Sequence, residues 1–231
     1  MKILGIIPAR GGSKGVPQKN IKNLNGKPLI WYTYQASKAS KLLSRTIVSS
    51  EDKNILEVCN SLGMDVPFIR PQSLAKDETP SIDVILHALQ KIEDSKEKYD
   101  AICLLQVTNP FRTSKLIDKS VQKFIDENAN CLISVKKTPD KFNPLWSLSK
   151  NKNNYLSLFI KQESIISRRQ DLPITYYRDG SIYLVSSDLI KQRKMYDENI
   201  SHVLNDDEFY VNIDTNKDWI EAENIINKMN Q

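Results

Sequence analysis

The chain has 231 residues and a formal net charge of +5, with 40% hydrophobic and 26% charged residues. This composition is that of an ordinary globular protein, and the length is sufficient for one large domain with its own core. The sequence has no apolar run near the roughly 20 residues of a membrane-spanning helix and no basic run with interleaved aromatic residues, so we expect neither a membrane nor a nucleic acid as a partner.

Two further features bear on the cell compartment. The apolar run 3–7 resembles a strand and leads into a glycine loop, which argues against a signal peptide. Cys59, Cys103 and Cys131 are odd in number, widely spaced and flanked by apolar residues. They are typical of reduced core thiols, not of a disulfide or zinc set, and we expect a cytoplasmic protein.

Strand-like and helix-like patterns alternate along the first part of the chain. In chain order the prediction is strand 3–7, helix 29–39, strand 45–49, helix 53–62, a short extended segment 66–69, helix 81–92, strand 99–105, helix 116–124 and strand 131–135. This alternation predicts an α/β fold with a parallel sheet covered on both faces. Such sheets bind ligands beyond the carboxyl ends of their strands, where Arg10, Ser49 and Gln106 lie.

The alternation stops after residue 136 and resumes near residue 180. Prolines punctuate the intervening stretch, which shows no helical stripe of useful length. The sheet resumes with a strand at 180–185, followed by a strand-like segment at 209–213. The predicted buried face of the last helix consists of Trp219, Ala222, Ile226 and Met229. We therefore predict one domain, 1–231, with an inserted arm at about 138–178 that needs a partner surface.

The segment after the first strand carries the clearest functional signal. Three of the seven glycines fall between Gly11 and Gly15, and three cations, Arg10, Lys14 and Lys19, lie within ten residues. Glycine lets backbone amides approach a ligand, so the strand, the glycine loop and the cations together favour a polyphosphate site. An ordinary turn with solvated lysines is the alternative, because the segment matches neither G-x-x-x-x-G-K-[ST] nor G-x-G-x-x-G.

The sequence from Ala9 to Asn20 resembles the signature loop of the sugar-activating cytidylyltransferases, in particular of the N-acylneuraminate (CMP-sialic acid) synthetases. The resemblance implies a three-layer α/β/α, Rossmann-like nucleotidyltransferase with a mostly parallel sheet and an inserted dimerisation arm. It also implies that this loop holds the CTP triphosphate and part of the base. The nucleotide-binding residues implied in the loop are Ala9, Arg10, Gly11, Lys14, Lys19 and Asn20.

A second motif, from Arg70 to Ser81, resembles the family's R-P-x-x-L-A-x-D segment, with Leu74, Ala75 and Asp77 in register. From the residues alone, Ser81 is a good N-cap for the helix that follows. The resemblance implies instead that Arg70 and Ser81 contact the nucleotide.

A third motif, from Gln106 to Thr113, resembles the family's Q-P-T-S-P-L-R-T loop and departs from it at Val107, Asn109 and Phe111. The resemblance implies that Gln106 contacts the sugar substrate. From the residues alone, the segment is a strand-to-helix turn in which Thr113 is the N-cap.

A fourth motif, R-R-Q-x-L-P, covers residues 168–173 and precedes a segment similar to the family's N-G-A-I-Y strand. Adjacent arginines suit bidentate binding of a carboxylate or phosphate, and a solvated pair is the alternative. The resemblance implies a homodimer in which Arg169 of the arm reaches the neighbour's site. It also implies sugar contacts for Arg178 and Asp179, although Asp179 replaces the usual Asn and Tyr177 stands where some members have Arg.

A fifth motif, from Asn212 to Thr215 with Asp218, resembles the family's D-I-D-T-x-x-D element. Residues i and i+2 of a strand share one face, and two carboxylates placed in this way can hold Mg²⁺ against a phosphate. The resemblance implies Mg²⁺ as cofactor with Asp214 and Asn212 as ligands, although Asn212 replaces the first carboxylate. From the residues alone, Asp214 and Thr215 cap the final helix.

Taken together, the five motifs imply an enzyme that uses CTP to activate a sugar acid of the N-acylneuraminate type, releasing pyrophosphate. Arg10 and Lys19 would clamp the triphosphate, and Asp214 would hold the metal and help to deprotonate the sugar hydroxyl. Pseudaminate enzymes usually have Arg at the position of Gly15 and octulosonate enzymes lack R-R-Q-x-L-P, so a neuraminate or legionaminate substrate is favoured. The alternatives are those two enzymes, a hexose-1-phosphate nucleotidyltransferase and a non-catalytic nucleotide-binding regulatory protein.

Overall fold

The computed structural model describes residues 1–161 and 164–229. Among these residues there are two units, the first formed by residues 1–134 and 179–229 and the second lying within residues 135–178. The strands are β1 (Ile3–Pro8), β2 (Asn23–Leu24), β3 (Lys27–Pro28), β4 (Arg45–Ser49), β5 (Ala101–Leu104), β6 (Cys131–Lys137), β7 (Leu148–Lys150), β8 (Leu156–Leu158), β9 (Tyr176–Ser186) and β10 (Ser201–Leu204). The α-helices are α1 (Leu29–Lys38), α2 (Lys53–Ser61), α3 (Ser81–Asp94), α4 (Ser114–Asp126), α5 (Ser187–Lys191) and α6 (Asn216–Met229).

Six strands form one sheet in the order β10-β6-β9-β5-β1-β4. β1 pairs in parallel with β4 and with β5, so that Ile6 lies opposite Ile47 on one side and Leu104 on the other. β9 pairs antiparallel with β5, which makes the sheet mixed but mostly parallel. Because β1, β4 and β5 are parallel neighbours, their carboxyl ends meet at the same edge of the sheet.

The two faces of this sheet bury separate hydrophobic cores. Side chains of a strand alternate between the faces, and in β1 Ile3 and Ile7 pack with α1, α2, α4 and α6. Leu4 and Ile6 face the other way and pack with α3 and α5. The prediction of an α/β fold with helices on both faces of a mostly parallel sheet is therefore confirmed.

Several local predictions differ from the structure. Residues 209–213 form no strand, although Val211 and Ile213 are buried and the Ile213 N–H donates to the Thr108 carbonyl at 2.8 Å. The extended segment 66–69 joins no sheet either. Met229 is 54% exposed and so does not belong to the buried face of α6. α5 and β10 were not predicted, because elements of five and four residues carry too little periodicity to stand out.

The predicted thiols are part of the core. Cys59, Cys103 and Cys131 are buried and free. Burial raises the pKa of Cys59 and of Cys103 to about 12, so both thiols stay protonated at neutral pH. Within residues 1–161 and 164–229, no helix has both the length and the apolar character needed to cross a membrane.

The second unit contains the predicted arm and buries almost no apolar surface of its own. β7 and β8 form a hairpin, and the Trp146 indole N–H donates to the Ile166 carbonyl at 2.6 Å. Of the described residues in this unit, only Val135 and Asn143 are buried. Its exposed large apolar side chains are Phe142, Leu148, Tyr155, Leu156, Phe159, Ile160, Ile165, Ile174, Tyr176 and Tyr177. Hydrogen bonds, rather than a core, define the conformation of this unit.

Candidate active site

A cavity of about 490 Å³ lies in the first unit, where β1 and β5 end. Its volume is within the range of small-molecule sites. Nine residues predicted from the sequence line it, namely Arg10, Lys14, Lys19, Asn20, Arg70, Ser81, Gln106, Asn212 and Asp214. The fold thus brings together side chains from the beginning, middle and end of the chain, as expected for the carboxyl edge of a parallel sheet.

The glycine loop lies against the segment that carries Asp214. A Cβ atom built on Gly15 would lie 1.9 Å from the Asp214 carbonyl oxygen, so no larger residue fits at position 15 unless the backbone of that segment moves. Val16, the next residue, is fully buried in the core. Glycine is therefore required here by a close backbone approach, which fixes the loop beside the acidic segment.

Lys19 and Asp214 form the contact between these two segments. The Lys19 Nζ donates to the Ile213 carbonyl at 2.5 Å and to Asp214 Oδ1 at 3.2 Å. The other carboxylate oxygen of Asp214 accepts from the Asn212 side-chain amide at 2.7 Å. With both oxygens engaged in this way, Asp214 points into the site and does not cap α6.

Thr215 and Asp218, and not the Asp214 side chain, form the N-terminal cap of α6. The Asp218 carboxylate accepts from the Asp214 N–H at 3.0 Å and from the Thr215 N–H at 2.7 Å. The Thr215 carbonyl accepts the first helical hydrogen bond, from Trp219. The capping interpretation thus holds for Thr215, but the Asp214 side chain remains available to a ligand.

Arg10 and Lys14 share one carboxylate partner. Asp77 Oδ1 lies 2.7 Å from the Arg10 guanidinium, and Asp77 Oδ2 lies 2.5 Å from the Lys14 ammonium. The hydrogen bond from Lys14, together with Arg10, holds the pKa of Asp77 below its usual value. A side-chain carboxylate therefore pairs with two of the three cations that the sequence assigns to phosphate.

The acidic segment offers two oxygen atoms that suit Mg²⁺, one from Asp214 and one from Asn212. Asn212 Oδ1 is buried and accepts no hydrogen bond from any described residue, and it lines the same cavity as Asp214. Among residues 1–161 and 164–229, no group of three or more His, Cys, Asp or Glu side chains could hold a metal. One carboxylate and one unpaired amide oxygen fit a hard cation that takes its other ligands from phosphate and water.

Gln106 lines the cavity and lies just after β5. Its carbonyl accepts from the Arg112 guanidinium at 2.7 Å, and Arg112 also donates to the Ser181 carbonyl at 2.6 Å. Burial lowers the pKa of Arg112 to about 10, so the guanidinium is still charged at neutral pH. Gly180 lies close by, because a Cβ built on it would be 3.6 Å from Gln106 Oε1.

The resemblance predicts that Asp179 contacts the sugar, but Asp179 is buried and does not line the cavity. Its side chain is 1% exposed, and its carboxylate accepts from Ser134, from the Ser181 hydroxyl at 2.9 Å and from the Asn205 amide at 2.5 Å. A carboxylate that is satisfied in this way has no position from which to reach a ligand. Its role in this structure is to hold the start of the buried part of β9.

The remaining predicted residues are placed as follows. The Ala9 side chain is fully buried in the core, and Gly11 turns its N–H away from the cavity lining and onto Glu51. Ser81 is the first residue of α3 and makes no side-chain cap, whereas Thr113 does cap α4 by accepting from the Leu116 N–H at 3.1 Å. Ser49 is buried and does not line the cavity.

Two predicted arginines belong to the second unit. Within that unit the Arg169 guanidinium lies 3.2 Å from Asp140, and its side chain is 77% exposed. Its neighbour Arg168 makes a bidentate pair with Asp171 at 2.7 and 2.9 Å. Arg178 is the last residue of the unit and is exposed on β9. Their sugar contacts stay predictions.

Some lining residues were not predicted to be functional. Lys76, Asp77 and Thr79 line the cavity between Arg70 and Ser81. The sequence marks Asp77 only as a motif position, since nothing in its sequence surroundings pairs it with a loop more than 60 residues earlier. The sequence does contain one indication that these residues are functional. The segment between the predicted contacts Arg70 and Ser81 is rich in polar residues.

Comparisons with known proteins agree with this geometry. A family model described as Cytidylyltransferase matches residues 4–225. The pseudaminic acid cytidylyltransferase of Campylobacter jejuni is 33% identical over 187 residues, covering 81% of this chain and 79% of that protein. The CMP-N,N'-diacetyllegionaminic acid synthase of Legionella pneumophila is 33% identical over 239 residues, covering 100% of this chain and 98% of that protein.

A solved structure extends the likeness to the fold. CMP:2-keto-3-deoxy-manno-octonic acid synthetase complexed with CTP superposes with a TM-score of 0.76 at 16% identity, covering 99% of this chain and 100% of that one. At this identity the likeness concerns the arrangement of strands and helices. The family model and the two sequence relatives carry the assignment, and this chain therefore belongs to the cytidylyltransferase family.

Proposed function

We propose that this protein transfers CMP from CTP to a nonulosonic sugar acid, with release of pyrophosphate. The observation that carries the proposal is one cavity, in a chain of the cytidylyltransferase family, that is bordered by Arg10, Lys14, Lys19 and Asp214. Three cations suit a triphosphate, and an acid next to Lys19 suits the hydroxyl that attacks it. The two named relatives act on nine-carbon acids by their names, which supports the same substrate class here.

In the proposed reaction, the anomeric hydroxyl oxygen of the sugar acid attacks the α-phosphorus of CTP in line. The bond from that phosphorus to the bridging oxygen breaks, and pyrophosphate leaves with the electron pair. Arg10 and Lys19 hold the triphosphate and neutralise the charge that develops on it. Asp214 accepts the hydroxyl proton directly or through a water.

Mg²⁺ is the proposed cofactor. A carboxylate oxygen of Asp214 and the amide oxygen Oδ1 of Asn212 would hold it. When bound, it supplies positive charge to the phosphate oxygens. Lys19 already lies 3.2 Å from Asp214, so this lysine keeps the acid in place beside the triphosphate.

The acid favoured here is of the neuraminate or legionaminate type. The legionaminate relative is matched along the whole chain, and the tight packing of Gly15 on Asp214 excludes an arginine at that position without rearrangement. The pseudaminate relative is equally identical over a shorter match, so both classes belong in the test.

The test is a product-mass screen of the purified protein with each nucleoside triphosphate and a panel of sugar acids. The panel contains N-acetylneuraminate, N,N'-diacetyllegionaminate, pseudaminate and octulosonate, with hexose 1-phosphates as further acceptors. We expect a CMP-sugar and pyrophosphate with CTP and a nine-carbon acid. Turnover only with hexose 1-phosphates, or binding of CTP without any product, would replace this proposal by one of the alternatives.

The position of Asp77 predicts how its removal changes the affinity for CTP. Because its carboxylate pairs with Arg10 and Lys14, it competes with the triphosphate for the same two cations. Asp77→Asn should therefore bind inorganic triphosphate and CTP more tightly, by roughly threefold to tenfold, since exposed ion pairs are individually weak. Isothermal titration measures the change in Kd.

The matched control for Asp77 is its neighbour Glu78, an exposed acid that makes no ion pair among the described residues. Glu78→Gln removes the same charge from the same loop and should leave the Kd within about twofold, because only the general field changes. Equal tightening in both variants would show that net charge, and not the specific pairing of Asp77, sets the affinity.

We also propose that the protein is a homodimer in which the second unit packs on another copy. Ten large apolar side chains are exposed in a segment that buries one apolar residue among those described. Exposed apolar surface on this scale is typical of an interface. The resemblance of residues 168–173 to the family's arm supports a contribution of Arg169 to the neighbour's site.

Subunit complementation tests this assembly. Arg10→Ala and Arg169→Ala proteins, each weakly active, are mixed and allowed to exchange subunits. A heterodimer then has one site that lacks both groups and one intact site, so activity should rise to about a quarter of the wild-type value in a two-fold symmetric dimer. Activity is measured with CTP and the acid found in the screen.

The control mixes Arg10→Ala with Lys19→Ala, whose changes fall in the same cavity of one chain. No intact site forms in that heterodimer, and activity should stay at the level of the parents. A monomer in sedimentation at micromolar concentration, or a dimer whose Arg10→Ala and Arg169→Ala mixture stays inactive, would contradict the shared site.

A further inference from the structure

Glu51 connects the glycine loop to Arg70 from behind the cavity. It follows β4 by two residues, and its side chain is 6% exposed. Glu51 Oε1 accepts from the Gly11 N–H at 2.8 Å. Glu51 Oε2 accepts from the Arg70 guanidinium, at 2.5 Å from Nη2 and at 3.2 Å from Nε. One buried carboxylate thus joins two segments that are 59 residues apart and both belong to the site.

Further contacts fix the backbone positions of Arg70 and Gly11, the two residues that Glu51 joins. The Arg70 N–H donates to the Ser50 carbonyl at 2.9 Å, which ties the start of its loop to the end of β4. A Cβ built on Gly11 would lie 2.3 Å from Asp52 Oδ2, and Asp52 caps α2 through the Ile55 N–H. Gly11 therefore fits closely against the turn between β4 and α2, where Glu51 lies.

The guanidinium of Arg70 is oriented by this contact. Its Nε and Nη2 both face Glu51, and its Nη1 makes no hydrogen bond within the described part of the chain. Arg70 lines the cavity although its side chain is only 3% exposed. A planar guanidinium with one edge fixed by a carboxylate can present its remaining N–H groups in only one direction.

A stabilising role alone does not account for this arrangement. A buried ion pair pays a large desolvation cost, and apolar side chains of similar size are often as stabilising. The Glu51 contacts are instead specific to the site, because one oxygen fixes the amide beside Arg10 and the other fixes Arg70. We propose that Glu51 is a positioning residue of the nucleotide site, a proposal that rests on the function proposed above.

Glu51→Gln is the direct test. A glutamine replaces one of the two carboxylate oxygens by an NH2 group, which cannot accept a hydrogen bond, so in the present geometry either Gly11 or Arg70 faces another donor. We expect the Kd of CTP to rise about tenfold, in line with other supporting residues of ligand sites. The KM for CTP should rise with it, while kcat at saturating CTP stays within about threefold.

The matched control lies at the other end of the same strand. Arg45 and Asp65 form a more exposed arginine–carboxylate pair, at 2.7 and 3.2 Å, away from the cavity. Asp65→Asn removes the same kind of contact outside the site; it should lower Tm less than Glu51→Gln, because the pair is more exposed, and leave the Kd of CTP unchanged. Titrations at a temperature well below both Tm values separate positioning from stability.

A second variant, Glu51→Asp, keeps the charge but shortens the reach, and it tests the idea if Glu51→Gln fails to fold. It should also weaken CTP binding, because a shorter side chain cannot span Gly11 and Arg70. A wild-type Kd for CTP in either folded variant, or an equal rise in Kd for Asp65→Asn, would overturn the proposal. Since the readout is nucleotide binding, a failure to find any sugar acid substrate would count against the proposed function and leave this result standing.

Discussion

Replacing Arg10 by alanine is expected to lower kcat/KM for CTP by about 100-fold or more, as for loss of one donor that stabilises developing charge. Arg10 lines the cavity, and its partner in this structure is the single carboxylate of Asp77, which a triphosphate would displace. The cation should bind phosphate more tightly as charge develops during transfer. Steady-state kinetics with CTP varied at saturating sugar acid measures the loss.

The fold should survive the change, because the Arg10 side chain lies in a surface loop and is 35% exposed. Arg193 provides the control, since its guanidinium pairs with Asp83 at 2.5 Å in the same way but outside the cavity. Arg193→Ala should keep near-normal kinetics. If Arg10→Ala also kept near-normal kinetics with CTP, the loop would not be the triphosphate site.

The sheet and its covering helices could be predicted because their patterns are local. β1 has apolar residues on both faces, and α2, α3 and α4 carry apolar stripes at helical spacing that end at the observed cores. For the segment 209–213 the same kind of pattern predicts a strand that the structure does not contain. The alternation of apolar and polar residues does correspond to burial, since Val211 and Ile213 are buried. A segment can bury alternate side chains in the core without hydrogen-bonding to a strand.

The site was predictable only in part, for a similar reason. Arg10, Lys14 and Lys19 share one loop with glycines, so their proximity can be read along the chain. Pairings such as Glu51 with Gly11, or Asp77 with Lys14, join segments 40 or more residues apart, and no local pattern reports them. A carboxylate just after a strand at the carboxyl edge of the sheet was the one available signal for Glu51.

Asp179 shows the limit of transferring a role by motif position. A resemblance fixes which strand the residue lies on, but burial decides what its side chain can contact. Here the carboxylate is enclosed by Ser134, Ser181 and Asn205, whereas Gly180, next in the chain, faces Gln106. If Gln106 contacts the sugar as proposed, the element of this segment next to that contact is the backbone of Gly180 and not the side chain of Asp179.

Asp214→Asn is expected to reduce turnover more than any other single change, on the order of 10³-fold, because it removes both the proposed proton acceptor and the carboxylate proposed to bind Mg²⁺. The Asp214 side chain is 63% exposed and does not cap α6, so Tm should change little. Asp206 supplies the control: it pairs with Lys119 on the surface, and Asp206→Asn should keep full activity.

Metal binding gives a readout that does not depend on turnover. If Asp214 is the carboxylate ligand and Asn212 Oδ1 the amide ligand, as proposed, we expect weak Mg²⁺ binding by the protein alone and much tighter binding when CTP is present, because phosphate oxygens complete the ligand set. Asn212→Asp adds a full charge and should tighten binding in the absence of nucleotide. Titration of Mg²⁺ with and without CTP measures both effects.

Asp214→Asn and Asn212→Asp together distinguish two roles of Asp214, binding of the metal and positioning of Lys19. If Asp214 binds the metal, Asp214→Asn should abolish the gain in Mg²⁺ affinity that CTP confers, and Asn212→Asp should increase affinity even without CTP. If Asp214 instead serves mainly to hold Lys19, which lies 3.2 Å away, its loss should weaken CTP binding and leave Mg²⁺ affinity unchanged. Tight Mg²⁺ binding by the wild-type protein without nucleotide, or full activity of Asp214→Asn, would contradict the metal site.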